Sequence, residues 1–66
     1  MTQFTTKDVE VLSHLLEGEQ MACKKARICS HTLTDQALSA VFSSLADEHE
    51  RRFNNLLTLL SGGGAL

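Results

Sequence analysis

Leu45-Ala46-Asp47-Glu48-His49-Glu50-Arg51-Arg52-Phe53-Asn54-Asn55-Leu56-Leu57 is the stretch on which the reading of this chain turns. Its apolar residues recur three and four positions apart, which is the period of a helix with one greasy face. The same stripe continues backward through Leu38, Val41 and Phe42 and forward through Leu59 and Leu60, so one helix is expected from about residue 34 to residue 60. Thr34 and Asp35 have the side chains that cap a helix start. Ser61-Gly62-Gly63-Gly64 ends it, because glycine takes the left-handed stop position readily, and a flexible tail is expected over 61–66. Three residues break the apolar pattern. Glu48, His49 and Arg52 project within the arc that the leucines define, whereas Asp47, Glu50 and Arg51 turn outward.

Working upstream, Leu15–Ala26 (LLEGEQMACKKA) lies in a second periodic segment. Thr5 or Thr6 can cap it, with Asp8 at capping-box spacing from Thr5, and Lys24, Lys25 and Arg27 gather at the far end, where the helix dipole favours cations. A helix over about 6–30 follows, and Leu12, Leu15, Leu16, Ala22, Cys23, Ala26 and Cys29 share one face of it. The segment 30–34 (SHTLT) reads as a turn. So short a connection sets the two helices antiparallel as a hairpin. The fold class expected is therefore all-α, with 1–66 as a single helical-hairpin domain.

A lone hairpin buries only the strip where its helices touch. Chains below about 70 to 80 residues rarely build a self-sufficient core, and this one has 66 residues, three phenylalanines and no other aromatic. Eleven leucines and six alanines favour helix but leave more apolar surface than one seam can hide. The economical arrangement is a homodimer in which two hairpins make a four-helix bundle about a twofold axis. The same face could instead serve as a groove for another protein's helix.

The charge balance excludes other classes of partner. A net charge of −2 supplies no basic field for nucleic acid. Apolar runs of two or three residues cannot span a membrane, and MTQFTTKD has neither the basic start nor the apolar middle of a signal peptide. A cytoplasmic location with both cysteines reduced is expected.

Glu19 sits near the middle of the first helix's apolar face, which is an expensive place for an unpaired carboxylate. Counted outward from the turn at 1.5 Å per residue, Glu48 and His49 come within about one helical turn of its level, and the long Arg52 side chain can reach it. Glu19, Glu48, His49 and Arg52 thus form one expected buried polar layer. Two chemistries fit it. One is an ion-pair and hydrogen-bond network that fixes hairpin register, with no catalysis and no cofactor. The other is a metal site in which Glu19, Glu48 and His49 hold iron, manganese or zinc.

Of the remaining candidates, Cys23 and Cys29 lie more than 100° apart around the helix, so they read as small core thiols and not as a clip. His14 and His31 read as solvated. Met21 and Ile28 lie opposite the main stripe and offer a second contact surface for a higher oligomer or a protein partner. Gly18, in mid-helix, is expected to permit close helix approach near Glu19.

Over about Leu12–Leu60 the chain resembles the ferritin-like superfamily, and more narrowly the short helical proteins related to spore coat protein F. LLEGEQMACKKA is similar to the first helix with its inward glutamate, and LADEHERRFNNLL to the helix that carries Glu-x-x-His. The resemblance puts Glu19 in the place of the first-helix ligand and His49 and Arg52 in the places of the Glu and His. HERR keeps the i, i+3 spacing while replacing a carboxylate by histidine and a neutral ligand by a cation. What the resemblance implies is a bundle fold, a spore-coat association and, in the family's form, a di-metal centre.

Overall fold

A computed structural model describes residues 4–62. They form two helices, α1 (Thr6–Thr32) and α2 (Gln36–Leu60), packed against each other, and no strand occurs among them. Each helix starts on a side-chain cap. Thr5 and Asp8 form a reciprocal capping box, in which the Asp8 amide donates to Thr5 Oγ1 at 3.1 Å and the Thr5 amide donates to Asp8 Oδ2 at 3.0 Å. Two of the amide donors that a helix start leaves free are thereby satisfied. Asp35 caps α2 by accepting from the Leu38 amide at 2.9 Å.

The turn is tighter than the sequence suggests. The expected turn over 30–34 becomes Leu33-Thr34-Asp35, because α1 keeps its last bonds through Thr32. The Thr32 hydroxyl donates to the Ile28 carbonyl at 2.7 Å, and the Leu33 amide donates to the Cys29 carbonyl at 3.0 Å. Ser39 Oγ then reaches across to the Ser30 carbonyl at 2.7 Å and ties the two helix ends together. At the other end Gly62 takes φ +89°, the left-handed conformation expected of the first glycine in the triplet. Residues 63–66 of the expected tail lie outside the described residues.

The seam between the helices is made of small side chains. Ala46 is fully buried and Ala26 is 7% exposed, and these two are the buried hydrophobic residues among those described. Cys23, Ser30, Ser39 and Ser43 flank them, half-buried, and the Cys23 thiol donates to the Ala46 carbonyl at 3.4 Å. Spacing of three or four along each helix puts all six on the facing strip, where backbones can approach closely. Phe42 joins the seam one turn before Ala46, and the other large residues join it farther from the turn, as Phe53, Leu12, Leu16, Leu56 and Leu60, all half-buried.

This allocation corrects the expected faces. Leu15, Leu38, Val41, Leu45 and Leu59 stay exposed, and Cys29 is an exposed thiol, not a core one. The apolar arc of each helix is wider than one contact strip, and the hairpin uses one side of it. A slab 10 Å through its thinnest dimension is one helix thick and has no interior. Its radius of gyration is 14.7 Å, against about 11 Å for a compact domain of this length.

Candidate functional site

Three of the four polar residues singled out in the sequence converge about one turn from the Cys23–Ala46 contact. Glu19 comes from the middle of α1, and His49 and Arg52 from successive turns of α2. His49 Nδ1 lies 2.7 Å from Glu19 Oε2, and Arg52 Nε donates to Glu19 Oε1 at 3.1 Å. Both carboxylate oxygens are therefore bonded, each to a different partner. Arg52 Nη2 also comes within 3.0 Å of His49 Nδ1. One nitrogen cannot serve both neighbours: a bare Nδ1 lone pair held 2.7 Å from a carboxylate oxygen is repulsive, so the proton sits on Nδ1 and donates to Glu19. The guanidinium then rests beside the ring with its strong bond directed to Glu19.

The side chains of Glu19 and His49 are 21% and 22% exposed, while Arg52 is 43% and Glu48 57% exposed. The layer is thus graded from the seam outward, and none of its members is fully buried in the hairpin. Glu48 is its outermost member. It approaches Arg52 Nη1 at 3.7 Å, too long for a hydrogen bond, and makes no polar contact with Glu19 or His49. The hydrogen bond from His49 is the largest influence holding Glu19 below its ordinary carboxylate value, with the bond and charge of Arg52 adding to it. Partial burial pushes the other way.

The expected ligand set Glu19, Glu48 and His49 is split by this arrangement. Arg52 stands between the Glu19–His49 pair and Glu48, and among the described residues no three of His, Cys, Asp and Glu group closely enough to hold a metal. A guanidinium donates and never ligates, and its charge opposes a cation.

The opposite flank of the seam carries a polar group that sequence reasoning misses. Arg27 Nη1 donates to Asp47 Oδ1 at 3.2 Å and Nη2 to Glu50 Oε1 at 3.4 Å. The bond to Asp47 is the main reason that Arg27 holds its proton more tightly than usual. Asp47 and Glu50 are three apart on α2, the spacing that aims two carboxylates at one point, and this is the signal that could have found the group. Both carboxylates are solvated and Arg27 is half-buried, so the cluster contributes little to stability. Met21 and Ile28 stand exposed, at 58% and 64%, on the back of α1, and His14 and His31 are exposed as expected. No helix among the described residues is long and apolar enough to cross a membrane.

Comparison of the chain with protein-family models, curated proteins and solved structures finds no match.

Proposed function

We propose that this protein is a small non-catalytic interaction module that works as half of a helical bundle, its exposed apolar flank covered by a second copy of the same hairpin. The observation that carries the reading is the mismatch between what the hairpin hides and what it shows: two alanines are buried, while Leu15, Leu38, Val41 and Leu45 remain exposed. Full burial of a leucine or valine side chain contributes about 1.5 to 3 kcal/mol, and each of these four has roughly half its surface left to bury, so together they still favour association by a few kcal/mol. The Glu19–His49–Arg52 group then acts as a register pin. It satisfies a carboxylate that would otherwise resist burial, and it does so only when α1 and α2 are aligned as they are here. This is the arrangement expected of half a ferritin-like bundle, with the polar group retained for structure and the spore-coat association as its cellular setting.

Sedimentation over a micromolar to millimolar concentration range tests the proposal. A dimer with helical content equal to that of the hairpin is expected. A stable, folded monomer at every concentration overturns it.

A further inference from the structure

The exposed flank of α2 reads, in chain order, Val41, Leu45, Glu48, Arg52, Leu56, Leu59. At 100° per residue these six fall within an arc of about 80°, and that arc is turned about 90° from the strip facing α1. Val41, Leu45 and Leu59 are exposed, and Leu56 is half-buried at the margin. Val41, Leu45 and Glu48 also line an open groove with Ala40 and Ser44. The order is a chemical palindrome about the level of Glu50: apolar, apolar, acid, base, apolar, apolar. We infer that α2 packs antiparallel on α2 of a second copy, with the twofold axis passing at that level, so that Glu48 of each chain pairs with Arg52 of the other. The inference rests on the self-association proposed above and specifies its geometry.

Charge complementarity decides the direction. In the antiparallel pairing Val41 meets Leu59, Leu45 lies beside Leu56 and Glu48 meets Arg52, each twice. A parallel pairing in register sets Glu48 on Glu48 and Arg52 on Arg52, two like-charge contacts in an apolar surround. The hairpin also leaves these groups with capacity to spare. Arg52 directs Nε to Glu19, and its Nη1 has only the 3.7 Å approach to Glu48, whose carboxylate forms no hydrogen bond among the described residues.

Helix α1 gives an independent check. Glu19 faces His49 and Cys23 faces Ala46, so the level of Glu50 on α2 corresponds to that of Gly18 on α1. Gly18 lies on the same exposed flank, midway between Leu15 and Ala22. A Cβ added to it meets nothing within 4 Å, so the hairpin's own packing gives no reason for a glycine in mid-helix. An axis at its level does. There α1 meets its own copy at the residue that permits closest approach, and Leu15 of one chain falls against Ala22 of the other.

The test uses single cysteines in a full-length Cys23→Ala, Cys29→Ser background. Val41→Cys and Leu59→Cys chains, mass-tagged and mixed, are oxidised with glutathione disulfide. The mixed disulfide linking position 41 of one chain to position 59 of the other is expected in about tenfold or greater excess over either homodisulfide, because only paired residues bring Cβ atoms into bonding range. Gly18→Leu is expected to leave hairpin helicity intact and to weaken self-association about tenfold, the scale of one overpacked side chain. A dimer that instead links position 41 to position 41, or shows no preference, or tolerates Gly18→Leu overturns this geometry while leaving self-association standing. A background protein that sediments as a monomer throughout defeats both.

Discussion

Replacing Ala46 by leucine tests the architecture at the point where it has least room. Ala46 has no exposed surface, its carbonyl accepts from Cys23 Sγ at 3.4 Å, and Ala26 closes the other side of the seam. Leucine adds three carbons at a position with no exposed surface, where the Cys23 thiol already bonds the backbone and the half-buried rings of Phe42 and His49 lie four residues before and three after on the same face. Overpacking a core generally costs about 1 to 3 kcal/mol, and a fully buried position belongs at the upper end. For a domain of this size each kcal/mol moves the melting temperature by about 4–8 °C, so a fall of about 10–20 °C is expected. Far-UV circular dichroism at one fixed protein concentration reads it, with Ala46→Ser, small enough for the seam, losing much less. The site supplies a second readout. Helices splayed at Ala46 draw Glu19 away from His49 one turn on, so the Glu19 carboxyl, followed by NMR titration, should rise toward its ordinary value. An Ala46→Leu protein that melts where the parent does, with Glu19 unmoved, would falsify the close-packed seam and the register it imposes.

Two further outcomes concern the polar group itself. Arg52→Met removes the donor on Glu19 Oε1 and leaves the His49 bond, so the protein should melt lower than the parent at neutral pH. Glu19 is depressed in the folded chain, so its stabilisation is complete above the ordinary value of 4.5 and is lost as pH falls through the lower, folded value. The gap between parent and variant should close over that acidic window; a gap independent of pH would mean that Arg52 acts by packing alone. Adding iron(II), manganese(II) or zinc(II) to protein purified without chelator should leave the melting temperature unchanged. Stoichiometric metal that disappears on Glu19→Ala would overturn the structural role and restore Glu19, Glu48 and His49 as ligands.

Much of this architecture can be read from residue types, and what cannot has a specific cause. Both helices are visible because their stripes are long, and their starts because Thr5, Asp8 and Asp35 carry capping side chains. Glu19, His49 and Arg52 can be found because a charge on an apolar arc demands a partner at the same level, and counting from the turn supplies that level. The seam is harder to see. Hydropathy ranks Leu15, Leu38 and Leu45 as core and passes over Ser30, Ser39 and Ser43, yet the serines face inward and the leucines outward. Periodicity gives the direction of an arc about 100° wide, and a two-helix contact covers only part of it. Which part depends on how closely the backbones come, and that follows from the small residues, which hydropathy barely weights. Glu48 departs from its expected place for the same reason: a rotation of the seam toward Ala46 carries Glu48 out to the flank.

The division between a small-residue seam and a leucine flank also constrains how the chain gains stability. Close contact through alanine, serine and cysteine sets alignment well, because a slip of one turn would put Phe42 or His49 where Ala46 sits, but it removes little apolar surface from water. The flank holds the surface worth burying and has little of its own to set register apart from Glu48 and Arg52. Each feature supplies what the other lacks. A hairpin aligned by its seam presents the flank as a patterned surface, and in the proposed dimer a second copy settling on that flank would contribute the burial that the seam cannot. Under the proposal, folding and association are one coupled equilibrium. The melting temperature should accordingly rise with protein concentration, and changes at the seam, the polar group or the flank should register in both measurements.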